Sequence, residues 1–143
     1  MHNILIAVDS QQIDTDGGTN EFTLVTEGKY YEKAGYKYLT YKETELTGME
    51  GTTTLLKIGG GEVTVIRMGS IEAKQVFALG KKHNFSYVTP YGTFELAVVP
   101  SVVENQVLEG EGYLRLEYDL EMDDLPFSRN ILSIKVELCK KAK

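Results

Sequence analysis

Apolar and polar residues alternate with a period of two along nearly the whole chain. The clearest run is 113–122, where Leu114, Leu116 and Tyr118 alternate with charged residues. Such alternation is typical of a β-strand with one buried and one hydrated face. No stripe of helical spacing longer than two turns occurs. The pattern therefore predicts an all-β protein with little or no helix.

Glycine, proline and acidic turn signals divide the alternating runs into nine to eleven short strands. The predicted strands span about 3–11, 21–32, 36–46, 52–58, 62–68, 71–79, 85–89, 93–99, 102–109, 113–122 and 128–138. Consecutive hairpins favour an antiparallel up-and-down barrel of about eight to ten strands over a sandwich, because closure removes exposed edges. A chain of 143 residues fits one such domain, so we expect a single barrel covering 1–143.

The charge and the cysteine content of the chain argue against several classes of function. A net charge of −6 argues against nucleic acid, since phosphate binding requires clustered Lys and Arg. The single cysteine, Cys139, offers no internal disulfide, and no stretch approaches the roughly 18 apolar residues that cross a bilayer. The N-terminal run lacks a basic segment and is shorter than a signal-peptide core. We expect a cytoplasmic protein without a membrane segment, either a monomer or a homodimer.

Several short motifs follow one another along the chain in a characteristic order. They are Glu27-Gly28 with Tyr30, Gly48-Met49-Glu50-Gly51-Thr52, Val65-Ile66-Arg67-Met68-Gly69, Thr89-Pro90-Tyr91-Gly92-Thr93-Phe94-Glu95-Leu96 and Tyr118-Asp119-Leu120. In this order and spacing the chain resembles, over its full length, the YwiB-like family of uncharacterised bacterial proteins. The resemblance implies a calycin-like β-barrel related in shape to lipocalins. It implies no activity and no catalytic residues.

Arg67 is the most informative charged residue. It continues the face of Val63 and Val65, so its guanidinium points either into the barrel or outward at the strand end. An inward arginine surrounded by tyrosines could bind a carboxylate or phosphate, whereas a structural salt bridge is the alternative. Gly28, in mid-strand, indicates a bulge, a barrel corner or a close approach of another segment.

The turn Thr89-Pro90-Tyr91-Gly92 is the second unusual feature. It is either an ordinary turn or a turn that places Tyr91 over a barrel mouth. A tyrosine suits that position as a lid, because it has an apolar ring and a polar hydroxyl group. Arg129 either faces a ligand or pairs with the acidic turn at 123–124. The candidate ligand-binding residues are Arg67, Tyr91, Tyr30, Tyr38 and Arg129.

Catalytic and metal-binding groups are sparse. His2 lies at the N-terminus, His83 lies in a polar loop, and Cys139 has no histidine near it in sequence. The acidic pair Glu43 and Glu45 lies beside a turn, where solvated carboxylates are common. We therefore expect no cofactor, no metal and no catalytic residues.

Three functional hypotheses remain open: an intracellular barrel that binds a small amphipathic or anionic ligand, a filled barrel that acts through its surface or an oligomer interface, and an enzyme that uses interior tyrosine, arginine and glutamate. An interior cavity of about 300 Å³ is required for the first. The bulky residues expected to face inward could fill a narrow barrel entirely, which would favour the second hypothesis; they are Phe22, Leu24, Tyr38, Leu56, Val65, Phe94, Leu96, Leu116, Tyr118 and Ile134.

Overall fold

The computed structural model describes residues 1–139, which form ten β-strands and one short 3₁₀ turn. The strands are β1 (His2–Asp14), β2 (Thr19–Lys33), β3 (Tyr36–Lys42), β4 (Thr52–Gly59), β5 (Glu62–Gly69), β6 (Ala73–Phe77), β7 (His83–Thr89), β8 (Gly92–Leu108), β9 (Glu111–Met122) and β10 (Leu125–Leu138), and the 3₁₀ turn is Glu45–Thr47. Within these residues no helix is long and apolar enough to cross a membrane.

The ten strands form one antiparallel sheet in which each strand pairs with its neighbours in sequence, except that β6 and β7 form no ladder with each other. β1 also pairs with β10, so the order is β6-β5-β4-β3-β2-β1-β10-β9-β8-β7. The two outermost strands meet where Glu72 and Val88 exchange two backbone hydrogen bonds of 3.0 and 2.9 Å. This bridge nearly closes the sheet, and the predicted all-β, up-and-down barrel with little helix is confirmed.

The line between β6 and β7, which we call the seam, is the weakest part of the wall. Within the described chain, backbone hydrogen bonds cross this line at two places only: between Glu72, just before β6, and Val88 in β7, and between Ala78 and Lys81 in the connection from β6 to β7. Midway, the Val76 N–H donates to Nδ1 of His83 at 3.4 Å. A side chain therefore replaces a ladder bond at this point.

Two predicted elements differ from the observed ones. The segments 93–99 and 102–109 belong to the single strand β8, because a shift of register between Pro100 and Val102 accommodates the proline within the ladder. The segment 36–46 ends as a strand at Lys42. There the hydroxyl of Thr44 accepts a hydrogen bond from the Leu46 N–H and begins the 3₁₀ turn.

The barrel has two unlike ends. The closed end carries the turns at 34–35, 60–61 and 109–110, and the open end carries the turns at 15–18, 90–91 and 123–124. Large apolar side chains pack the closed end and the middle; they include Ile4, Ile6, Leu39, Leu56, Ile58, Val63, Phe77, Leu114, Leu116 and Ile134. Toward the open end this apolar filling stops.

Gly28 marks a close approach inside the wall. A Cβ added there would lie 2.7 Å from Cδ1 of Ile6 and would collide with the carbonyl oxygen of Thr40 on β3. No register shift interrupts the pairing of β2 with β1 or β3. Of the three explanations for this glycine, the close approach is the one observed.

Two residues expected inside the barrel lie outside it, so these predictions are wrong. On β3 the buried face carries Leu39 and Tyr41, whereas Tyr38 stacks on Tyr31 with the ring centres 4.8 Å apart. Phe94 is 45% exposed, because the β7–β8 hairpin extends past the last residue of β9 that pairs with β8.

Candidate functional site

A cavity of about 360 Å³ occupies the open end of the barrel interior. Its polar lining includes Tyr41, Glu43, Arg67, Gln75, Tyr118 and Asn130, and its apolar lining includes Phe22, Phe85, Leu96, Leu120 and Leu132. The barrel interior is therefore filled at one end and hollow at the other. The cavity exceeds the roughly 300 Å³ at which small-molecule sites begin.

Period-two alternation explains why the polar residues gather at the open end. On β5 the inward face runs from Val63 and Val65 to Arg67, and on β3 it runs from Leu39 to Tyr41. Along both strands the inward residues change from aliphatic to polar as the chain approaches the open end. The strand register then places the polar residues side by side.

One row across three strands shows this placement. Tyr41 pairs with Thr54, and Thr54 pairs with Arg67 on the next strand. Neighbouring strands lie about 4.8 Å apart, so this row spans roughly 10 Å of the cavity wall. Glu43, two residues beyond Tyr41, continues the same face toward the mouth.

Arg67 is half-buried and bonded to a neutral group. Its Nη1 donates to Oε1 of Gln75 at 3.0 Å. Its Nε is buried without any hydrogen-bond partner, and it is the one side-chain nitrogen or oxygen of residues 1–139 in that state. No carboxylate oxygen of those residues lies within 4.0 Å of the guanidinium. A buried N–H without a partner is costly, so this arginine is an exception in an otherwise satisfied interior.

Glu43 is buried as well, at 6% exposure, so the expectation of a solvated carboxylate is wrong for this residue. Its Oε2 accepts a hydrogen bond from the hydroxyl of Thr54. Burial raises the pKa of the neighbouring Tyr41 hydroxyl; the Glu43 charge raises it further and the Arg67 charge lowers it. Tyr41 thus feels both charges. Glu43 lies two and four residues after Tyr41 and Leu39, on the same face of the chain. This spacing is the sequence signal that could have placed Glu43 inside.

The opposite wall contributes neutral polar groups from β9 and β10. Tyr118 and Asn130 are cross-strand partners, and Nδ2 of Asn130 donates to Oγ of Ser128 at 3.0 Å. The Tyr118 ring meets Phe77 edge-on at 4.8 Å. Burial raises the pKa of Tyr118, and the Arg67 charge opposes that rise. At neutral pH Tyr41 and Tyr118 therefore keep their protons and can donate hydrogen bonds.

The loop after β3 covers part of the mouth. Thr47, Gly48 and Met49 line the cavity there. Gly48 has a φ of 73°, a left-handed conformation that ends the 3₁₀ turn and that glycine adopts without strain. The loop thus holds Met49 against the opening, where a thioether adapts to irregular apolar shapes.

Of the five residues predicted from the sequence to bind ligand, Arg67 lines the cavity and the others lie elsewhere. Tyr30 is buried toward the closed end, where its hydroxyl donates to Glu32 at 2.9 Å. Burial, then the bond to Glu32, raises the pKa of Tyr30 to about 12. Tyr38 lies on the outer face. Tyr91 is 96% exposed at the tip of the projecting hairpin.

Arg129 also lies on the outer surface. Its Nη1 is 3.4 Å from Asp119 and its Nη2 is 3.6 Å from Glu117, so the expected pairing with the turn at 123–124 is wrong. Lys82 pairs with Asp124 of that turn instead, at 2.7 Å. All three contacts are ion pairs at the surface, of the kind that contribute little to stability.

Metal binding finds no support within 1–139, where no three His, Cys, Asp or Glu side chains cluster as ligands. The cavity holds one carboxylate and one guanidinium among hydroxyl and amide groups. These groups can bind charged and hydrogen-bonding ligands.

Comparison with known proteins agrees with the resemblance seen in the sequence. Residues 6–134 match the family described as a domain of unknown function, DUF1934. The chain is 30% identical to the uncharacterised β-barrel protein YwiB of Bacillus subtilis over 112 residues. These residues are 78% of each protein. The crystal structure of the ywiB protein from Bacillus subtilis superposes with a TM-score of 0.84 at 25% identity, over 97% of this chain and 93% of that one. The predicted family and barrel are confirmed.

Proposed function

Because the chain belongs to the family described as a domain of unknown function, DUF1934, we propose its function from the cavity itself: the barrel binds a small amphipathic ligand whose anionic group pairs with Arg67. The ligand enters at the open end and places its apolar part on the hydrophobic lining. In keeping with the single cysteine, the proposed ligand is an intracellular one.

The unpartnered Nε of Arg67 carries this proposal. A guanidinium presents its N–H groups in a planar fork that matches a carboxylate or phosphate. In Arg67, Gln75 occupies one Nη1 donor, while Nε is left without a partner. An anion that accepts from Nε and a neighbouring N–H would satisfy the group.

The apolar lining supports the amphipathic character of the ligand. Phe22, Phe85 and Leu96 lie along the cavity with the polar groups. Small-molecule sites combine a mostly apolar lining with a few converging polar groups that fix orientation. A short hydrocarbon chain with one acidic group fits this combination.

The alternative, a filled barrel that acts through its surface, has less support. The cavity of about 360 Å³ leaves the open end hollow. Exposed apolar side chains such as Val25 and Leu108 are present on the described surface, but single exposed residues of this kind are ordinary.

Calorimetric titration with octanoate tests the proposal. The unmodified protein is expected to bind octanoate, and Arg67→Gln is expected to weaken binding by about tenfold or more, because a charge-assisted pair is lost. Arg129→Gln, which removes an outer arginine, is the matched control and should bind like the unmodified protein. Equal binding by Arg67→Gln and the control, or no binding at millimolar octanoate, would contradict the proposal.

A further inference from the structure

Two opposite charges line the cavity without pairing with each other. Arg67 contacts Gln75, and Glu43 contacts Thr54, so each has a neutral partner. Within the described part of the chain, no Lys, Arg or His nitrogen lies within 4.0 Å of the Glu43 carboxylate, and no carboxylate lies that close to Arg67. A purely structural pair of buried charges would be expected to meet, since separation leaves both without compensation.

The two charges nevertheless lie near each other. Both act on the hydroxyl of Tyr41, which the Glu43 charge stabilises in its protonated form and the Arg67 charge in its ionised form. Both charged residues line the same cavity wall: Glu43 bonds to the Thr54 hydroxyl, and Thr54 is the cross-strand partner of Arg67. The gap between the charges is therefore longer than an ion pair and short enough for one small molecule to touch both.

A simple anion is not the best ligand for such a site. It would gain from Arg67 and be repelled by Glu43, because both charges line the same cavity. A ligand that also carries an ammonium group would satisfy both charges at once. The two charges of that ligand must lie close together, since Glu43 bonds to Thr54, the cross-strand partner of Arg67.

We propose that the ligand is an amphipathic α-amino acid, with its carboxylate on Arg67, its ammonium group on Glu43 and its aliphatic side chain on the apolar lining. This inference rests on the proposed function, which requires the anionic contact alone. It adds the class of the ligand and assigns Glu43 as the residue that selects for it.

Titrations with octanoate and 2-aminooctanoate separate the two claims. The unmodified protein is expected to bind 2-aminooctanoate about tenfold more tightly than octanoate, because the ammonium group adds a charge-assisted contact. Glu43→Gln is expected to abolish this preference and to bind octanoate at least as well as before. Glu45→Gln removes an exposed carboxylate two residues away and is expected to keep the preference.

A second comparison requires no variant. N-acetyl-2-aminooctanoate keeps the carboxylate and the chain but lacks the ammonium charge, so it should bind the unmodified protein no more tightly than octanoate does. If octanoate and 2-aminooctanoate bind equally, or if Glu43→Gln keeps the preference, the amino-acid inference is overturned while the anion site stands. If octanoate binds and Arg67→Gln leaves its affinity unchanged, the proposed function itself fails.

Discussion

Arg67 has one neutral partner in the barrel, Gln75, and we expect this arrangement to lower the stability of the ligand-free protein. One N–H bonds to Gln75 and another is buried without a partner. Replacing both members of a buried polar pair by apolar groups of similar shape is often neutral or stabilising. Whether Arg67 lowers the stability of the protein can be tested directly by replacing it together with Gln75.

The double variant Arg67→Met with Gln75→Leu is expected to raise the free energy of unfolding by about 1 kcal/mol, because it removes the unpaired N–H and leaves no orphaned partner. Urea unfolding provides the measurement. Arg115→Met, on the outer face, should change stability by no more than about 0.5 kcal/mol. A loss of stability in the double variant would indicate that Arg67 has a structural role.

Gly28 offers a second residue-scale prediction. Gly28→Ala is expected to lower the free energy of unfolding by about 2 kcal/mol, since the added Cβ meets the Thr40 carbonyl and the Ile6 side chain. Gly18→Ala, at an exposed turn where the nearest atom is 3.3 Å from the added Cβ, is the control. Similar unfolding midpoints for the two variants would refute the close approach.

The raised pKa of Tyr30 predicts that the protein loses stability at alkaline pH. Its pKa is raised from 10.0 to about 12 in the folded state, so the folded protein holds this proton more tightly than the unfolded chain does. The associated stabilisation is complete below pH 10 and disappears as the pH rises from 10 to about 12. In denaturant titrations, Tyr30→Phe should lose less stability than the unmodified protein over that interval. Identical pH profiles would contradict the assignment.

At the scale of the elements, the seam between β6 and β7 is where the barrel is least tightly joined. Each of these strands has a full ladder on one side only, with β5 and β8 respectively. Across the seam, the His83 imidazole replaces a backbone acceptor for the Val76 N–H. Local opening should therefore start here.

Hydrogen exchange followed by mass spectrometry is expected to show faster exchange in β6 and β7 than in β1 and β10, which are paired on both sides. His83→Ala should accelerate exchange at Val76, because the replaced acceptor is lost. Uniform protection around the ring would contradict an open seam.

The same elements show what the sequence could and could not predict. The turn signals located ten strands well, but Pro100 divided β8 in the prediction, because a bulge that accommodates a proline is a property of the paired strand. On β3 both faces carry tyrosines, so alternation alone did not determine which one turns inward. Pairing with Leu56 of β4 places Leu39, and with it Tyr41, inside.

For the whole molecule, the division into a filled end and a hollow end is the central feature. The inward phase of Arg67 could be read from Val63 and Val65, and the structure places it on the cavity. The groups that complete the site come from other parts of the chain, since Gln75 lies on the next strand, β6, and Glu43 follows the end of β3. The strand register, which alternation alone does not give, brings them to the same cavity as Arg67. Tyr30 was also predicted to face inward, and its side chain is buried. It lies near the closed end, however, and so does not line the cavity.

For the whole molecule, the central question is whether a charged ligand binds in the open end of the barrel. A crystal structure of the protein soaked with 2-aminooctanoate tests this most directly. The expected result is a carboxylate oxygen at hydrogen-bond distance, about 2.9 Å, from Nε of Arg67, with the ammonium group at Glu43 and the chain along Phe22 and Leu96. A ligand bound only on the outer surface, with the Arg67 guanidinium turned onto Glu43, would contradict the account.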